Sequence, residues 1–329
     1  MRISVVIPVH NGASTLASCL EAACGQEYPD YEVIVVDDAS TDSSSAIAAG
    51  FPCRVVSLPT NQGAAQAKNA GATEATGEVV FFTDADVLLP PNALALVAER
   101  LADPGVDGVV GLLGPHVRHA DLGSQFKNLW MHYTYRRQPE EVGLFFSLAD
   151  ALRRPDIEAQ GRELRWNRGD SVAEDIEFGQ RARSNGRRIV LDQRLTVEHL
   201  KRYTLGEVLR TDVERARALA LIWLRNTLGR TGRRHYASVP LTFGLSVPLA
   251  GLGTLGLAGL PWARGWGLGL AGLAYGLILA LNGRFLAFLA RARGWRFGLQ
   301  CALFLPLDLV ASGLGVAAAM VDAARGRWH

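Results

Sequence analysis

Val79-Val80-Phe81-Phe82-Thr83-Asp84-Ala85-Asp86 is a run of β-forming residues that delivers two carboxylates, one residue apart, to the end of a strand. Alternate strand residues point the same way, so Asp84 and Asp86 are expected to share a face. Two convergent carboxylates beside a loop suit a hard divalent cation, which prefers oxygen ligands and can carry substrate phosphates. The implied chemistry is diphosphate handling at a metal. A D-x-D triplet alone is more often a pair of solvated turn residues, so the sequence around it has to carry the reading.

Upstream, Ile3 to Val9 reads as a buried strand and Asn11-Gly12 as the turn that follows it. Ser14 is placed to cap the next helix, with Leu16, Cys19, Leu20 and Ala23 on one face. Tyr31 to Val36 is a second apolar strand, ending in Asp37-Asp38-Ala39-Ser40-Thr41-Asp42. Arg54 to Leu58 makes a third strand, Gly63 to Ala75 an Ala-rich helix, and Gly77 precedes the strand that begins at Val79. Near-continuous apolar strands separated by helices predict a parallel sheet covered on both faces. Ligands of such sheets bind beyond the carboxyl ends of the strands, which is where Asn11, Asp38, Asp84 and Asp86 fall.

These residues resemble the family 2 glycosyltransferases of the GT-A type. The likeness runs through Val5-Val6-Ile7-Pro8-Val9-His10-Asn11, Val35-Val36-Asp37-Asp38-Ala39-Ser40-Thr41-Asp42, then Asn61, Gly63, Lys68, Asn69, Gly71, Gly77 and Asp84-Ala85-Asp86. It covers about the first 90 residues. The resemblance implies that Pro8, Val9 and Asn11 line the nucleotide pocket, that Asp38 accepts from the base, and that Asp84 lies near the ribose and metal. It makes Asp86 a ligand of Mg²⁺ or Mn²⁺ bridging the diphosphate of a UDP- or GDP-sugar. Lys68 stands where the family commonly has Arg, as a phosphate or base contact or as an exposed helix lysine; His10 stands where Tyr is frequent.

A second constellation is Ser171-Val172-Ala173-Glu174-Asp175-Ile176-Glu177-Phe178, with Asn185-Gly186 as a helix stop. Ser171 with Glu174 reads as a capping box, and acids also favour the positive end of a helix. The resemblance makes Glu174-Asp175 the family's acidic pair, about 90 residues after the D-x-D. It implies that Asp175 is the general base toward an acceptor hydroxyl, with Glu174 beside it to raise its pKa. His199, after a strand at Arg188 to Leu191, is a packed histidine or a ligand facing the metal, with Lys201 or Arg202 as phosphate contacts. Residues 106 to 168 say least; His132-Tyr133-Thr134-Tyr135-Arg136-Arg137 and Trp166 line an acceptor pocket or simply pack.

The remaining sequence concerns location. With 34 basic and 32 acidic residues there is no nucleic-acid footprint. Tyr236 to Ala263 and Gly265 to Gly283 carry no charge, and Phe297 to Val321 carries only Asp308. A span needs about 20 apolar residues. Three transmembrane helices are therefore predicted near 237–260, 265–284 and 298–321, with Asp308 a functional or helix-packing group. Met1-Arg2 leads straight into a strand, so no cleavable signal is read. Arg225, Arg230, Arg233 and Arg234 before the first span, and Arg291, Arg293 and Arg296 before the third, place those loops on the cytoplasmic side of the inner membrane. Arg325 and Arg327 conflict with a three-span layout, which a re-entrant segment would remove. Thr204 to Leu228, with Leu205, Val208, Leu209 and Val213 on one side, reads as an amphipathic interfacial helix or as one packed on the domain. Four cysteines at 19, 24, 53 and 301 show neither metal spacing nor a disulfide framework.

The expectation is an α/β chain. Residues 1–105 form the nucleotide-sugar half of a GT-A, Rossmann-like domain with a mostly parallel sheet. Residues 106–203 form its acceptor half, 204–235 an interfacial helical segment, and 236–329 the transmembrane region, with homo-oligomers possible in the membrane. The expected activity is an inverting, metal-dependent transfer of one sugar to a hydroxyl of a lipid or lipid-linked acceptor. A polyprenyl phosphate is the alternative acceptor, and a catalytically dead membrane scaffold the remaining one. Thr211-Asp212-Val213-Glu214-Arg215-Ala216 stands where processive synthases carry Gln-x-x-Arg-Trp, which argues for single transfer. Val9-His10-Asn11-Gly12-Ala13 lacks both the basic Gly-rich loop of a nucleotidyltransferase and the G-x-G-x-x-G of an NAD enzyme.

Overall fold

A computed structural model describes residues 1–146, 148–154, 173–228, 239–260 and 264–327. Trp166, Ser171, Arg230, Arg233, Arg234 and Tyr236, invoked above, lie outside the described residues, as does the head of the first predicted span. By compactness the chain forms two units, Met1–Arg118 with Tyr135–Lys201 and His119–Thr134 with Arg202–His329.

The first unit is built on a nine-stranded sheet. Strands β1 (Ile3–Val9), β2 (Tyr31–Asp37), β3 (Arg54–Ser57) and β4 (Val79–Phe82) are parallel, in the order β3-β2-β1-β4. Every residue of β1 and β4 is buried, as runs of Val, Ile and Phe must be when helices cover both faces. Helices α1 (Leu16–Cys24), α2 (Ser44–Ala48) and α3 (Ala64–Glu74) connect them. Helix α1 buries Leu16, Cys19, Leu20 and Ala23, the face read from the sequence. Ser14 is not its cap: Thr15 holds that position, makes no side-chain cap bond, and donates its hydroxyl back to Gly12 O at 3.3 Å.

The other half of the sheet departs from the parallel expectation. After β5 (Val87–Leu88), α4 (Ala93–Arg100) and β6 (Gly108–Leu113) come α5 (Leu122–Tyr135), β7 (Glu141–Val142), β8 (Asp150–Arg153), α6 (Glu174–Ser184) and β9 (Ile189–His199). Strand β8 lies between β4 and β6, antiparallel to both, and β9 runs parallel to β6 but antiparallel to β5 and β7. Two-residue β5 and β7 and four-residue β8 are too short to show a hydrophobic run, so only tertiary pairing reveals them. Strand β9 is a single element of 11 residues, longer than the Arg188–Leu191 stretch expected.

The second unit is helical: α7 (Leu205–Thr227), α8 (Leu241–Ala258), α9 (Arg264–Leu281), α10 (Gly283–Arg293) and α11 (Trp295–Ala324), with residues 119–134 of α5. Phe126, Tyr133, Phe243, Phe285 and Phe304 form its aromatic core. Tyr133 is spent there, against Phe285 at 4.9 Å between ring centroids, and His132 stacks on Phe288. In the first unit Tyr135 stacks on Phe146. These three rings pack.

Thr204 and Glu207 form a capping box at the head of α7. Leu205, expected on its inward face, is 39% exposed, while Val208, Leu221 and Ile222 are buried. Helices α7 and α11 meet backbone to backbone at Gly315, where a Cβ would stand 2.2 Å from Val213 O. Asp308 is buried inside α11 and hydrogen-bonded to Asp212, which pairs with Lys127. Among the described residues two helices, α8 and α11, are long and apolar enough to cross a membrane. The second predicted span, 265–284, corresponds to α9, which ends at Leu281; the chain breaks at Asn282, whose Nδ2 donates to Ser246 Oγ at 2.8 Å, and α10 leaves at 64°. That pair raises the number of spans to three only if it counts as one.

Candidate active site

Strand β1 ends with Pro8 and Val9 buried, and Val9 O accepts from Asp38 N at 2.8 Å. Asn11 follows in the left-handed region, φ 53°, which Asn tolerates better than most residues. Its Oδ1 accepts from Thr41 N at 2.8 Å and Thr41 Oγ1 at 3.1 Å, tying the loop after β1 to the loop after β2. His10 Nδ1 donates to Asp38 O at 2.8 Å. Asp38 is buried, and its two oxygens accept from Gln62 N (2.7 Å) and Gly63 N (2.8 Å). Gly63, at φ 86°, takes a backbone shape that other residues rarely adopt, and from it α3 starts. Asn11 and Asp38 thus already hold backbone at the carboxyl edge of the sheet.

Helix α3 lies close on the sheet because Gly71 has no side chain: a Cβ there would meet Val6 Cγ1 at 2.3 Å and Val36 Cγ2 at 3.0 Å. Lys68, one turn earlier on the same face, is driven inward and is only 1% exposed, not a surface lysine. Its Nζ lies 3.4 Å from Asp84 Oδ1. Burial disfavours the ammonium, yet the carboxylates of Asp84, Glu174, Asp175 and Asp150 outweigh it and hold Lys68 above its ordinary pKa.

The D-x-D geometry differs from the expectation. Strand β4 stops at Phe82, so Asp84 and Asp86 occupy the turn before β5 and do not share a strand face. Asp84 turns to Lys68; Asp86 turns to His199, with Nε2 to Oδ2 at 3.2 Å. Thr83 Oγ1 donates to Leu148 O at 2.7 Å, and Leu200 N to Asp86 O at 2.7 Å. The register Val87↔His199 then sets His199 beside the turn. Burial pushes the Asp84 carboxyl up, more than Lys68 holds it down. Burial acts on Asp86 too, but the His199 hydrogen bond and charge outweigh it and leave that carboxyl lowered. Lys201 adds its charge to Asp86, while Arg202, in the second unit, pairs with Asp121 at 3.3 Å.

Glu174 and Asp175 begin α6 and are nearly buried. Ala173 stands at the cap and makes no side-chain bond; Asp175 Oδ1 accepts from Ile176 N at 2.7 Å. Helix α6 is seated by Gly179, where a Cβ would fall 2.3 Å from Leu144 Cα. Glu177 is paired with Arg181 at 3.0 Å, within the helix. Burial, with Asp175 adding and Lys68 opposing, pushes Glu174 from 4.5 to about 7. A carboxyl raised by folding contributes stability below its unfolded pKa, and that contribution is lost as pH rises through the folded value. Glu174→Gln is therefore expected to flatten the fall in melting temperature between pH 5 and pH 8, read by thermal unfolding of the two proteins side by side.

The structure gathers Lys68, Asp84, Asp150, Glu174 and Asp175 into one electrostatic cluster, with the Asp86–His199 pair adjoining through Asp84. Asp38 is linked to it through Gly63 and α3. Asp150 escaped the sequence reading: it is fully buried, accepts from Phe146 N at 3.0 Å, and no local pattern marks it. Among the described residues no three His, Cys, Asp or Glu side chains form a metal cluster. Asp86 and His199 nonetheless fit Mg²⁺ or Mn²⁺, which are held by few protein ligands and completed by substrate phosphates and water.

Residues 4–156 match the family described as glycosyl transferase family 2. They form a family 2 glycosyltransferase domain. Glu174, Asp175 and His199 lie past the matched stretch. Glycosyltransferase GlyG of Streptococcus pneumoniae is 36% identical over 114 residues, 33% of this chain and 38% of that protein. An undecaprenyl-phosphate 4-deoxy-4-formamido-L-arabinose transferase of Serratia proteamaculans is 33% identical over 167 residues, 48% of this chain and 51% of that protein. The chain thus spans about half or less of these curated relatives. The mannosyltransferase PcManGT from Pyrobaculum calidifontis, solved with GDP-Man and Mn²⁺, superimposes with a TM-score of 0.60 over 96% of this chain and 86% of that one. At 22% identity the likeness is one of fold, and that fold is GT-A-like.

Proposed function

We propose that the chain moves one sugar from a UDP- or GDP-sugar to a hydroxyl of a lipid or lipid-linked acceptor, with inversion, at the cytoplasmic face of a membrane. The observation that carries this reading is the joining of the D-x-D turn and the helix-borne acid pair through one buried lysine. Donor-side and acceptor-side acids would then act on a single reacting carbon. Asp86 and His199 would hold Mn²⁺ or Mg²⁺, which would neutralise charge on the departing diphosphate. Asp175 takes the proton of the attacking hydroxyl, and a single displacement inverts the anomeric carbon. Glu174, pushed to about 7, is itself only partly ionised near neutral pH.

Apolar α8 and α11, with Leu299, Leu303, Leu307 and Leu314 exposed on α11, support a membrane anchor. Exposed Arg284, Arg291 and Arg296 support the cytoplasmic orientation by charge. α7 would then lie near the headgroups. The relatives named undecaprenyl-phosphate transferases favour a second acceptor, a polyprenyl phosphate, whose oxygen is already ionised. The test is nucleoside diphosphate release by the full chain in lipid nanodiscs with Mn²⁺ and a panel of UDP- and GDP-sugars. One arm supplies lipid extract and the other a polyprenyl phosphate. Release in the first arm supports the hydroxyl reading and in the second the alternative; release in neither leaves a scaffold.

A further inference from the structure

Lys68 stood in the sequence as a candidate donor contact, yet its surroundings leave it little room to be one. The side chain is 1% exposed, on a helix pressed to the sheet by Gly71 and started at a Gly63 that Asp38 holds. Its ammonium lies 3.4 Å from Asp84 and feels the charges of Glu174, Asp175 and Asp150. Those acids come from three separate parts of the chain: the turn after β4, the start of α6, and β8. Left without a cation, carboxylates that act on one site repel one another and move apart or take up protons.

We propose that Lys68 is a positioning residue, an internal counter-ion that sets the spacing between the donor-side Asp84 and the acceptor-side Glu174–Asp175 pair without touching substrate. This rests on the transferase reading above. A point charge suits the task better than the guanidinium fork common in the family, because one ammonium can serve acids that arrive from several directions. Donor affinity then belongs to the turn and the metal pair, while Lys68 governs how well the bound donor reacts.

The experiment compares the full-length wild type with Lys68→Met and Lys68→Arg in nanodiscs. Lys68→Met is expected to lower kcat by about 100-fold, the loss that a misplacement near 1 Å brings. The donor KM, and the affinity for nucleoside diphosphate with Mn²⁺ by calorimetry, should change less than about threefold, the spread expected of context alone. The acidic limb of the kcat profile should move to higher pH, because Glu174 and Asp175 lose their cation while Asp84 and Asp150 still face them. Lys68→Arg should restore the limb. A raised donor KM with kcat preserved would show Lys68 on the substrate and overturn the proposal. A readout without turnover guards against an unidentified donor: the melting temperature of Lys68→Met should fall more steeply from pH 5 to pH 8 than that of the wild type. An unchanged slope would also overturn it. Absent release by the wild type with every donor counts against the transferase reading instead.

Discussion

Asp175→Asn should lower kcat by about 10²–10⁴-fold, the range that positioned general-base catalysis contributes. Its carboxylate is nearly buried at the first turn of α6, and one oxygen already accepts from Ile176 N, so the side chain is oriented before any acceptor arrives. Asn keeps the shape and a hydrogen-bonding oxygen but cannot take a proton. Donor KM and nucleoside diphosphate binding should be little affected, since the donor-side acids remain paired with Lys68 and His199. Single-turnover assays with an acceptor alcohol test this. With a polyprenyl phosphate acceptor the same substitution should cost far less, because that oxygen carries no proton to remove. A loss below about tenfold with a hydroxyl acceptor would remove Asp175 from the base position.

The second large effect is expected at a residue with no chemistry. Gly179→Ala places a methyl 2.3 Å from Leu144 Cα and 2.5 Å from its carbonyl carbon, both backbone atoms that no rotamer change can clear. Alanine in place of glycine favours a helix interior by about 1 kcal/mol. Overpacking of this kind costs about 1–3 kcal/mol and here acts against backbone, so destabilisation should win. Helix α6 must shift outward, and Glu174 and Asp175 move with it. Melting temperature and kcat should fall together, with kcat down by roughly 100-fold for a displacement near 1 Å. An unchanged melting temperature with unchanged kcat would mean that α6 is not seated on that backbone.

Much of the first unit could be read from local pattern. Strands β1, β2 and β4 are continuous apolar runs, and the buried face of α1 follows the 3.6-residue period. Strand β8 was not legible, because four residues with charged ends carry no period. The D-x-D misled in a specific way. Its spacing suggested a shared strand face, but the strand ends one residue before Asp84's neighbour Thr83, and the two acids diverge.

Residue types and their order were enough to reveal an α/β domain with acids at strand ends, a family likeness, and apolar helices after it, because each of these is written in neighbours a few positions apart. Only the folded chain decided which acids meet. Lys68 is buried because Gly71 lets α3 close on β1 and β2; Asp86 finds His199 through the pairing of β5 with β9; Asp150 joins because β8 slots between β4 and β6. Those contacts span many tens of residues, and no local spacing encodes the electrostatic balance that results from them.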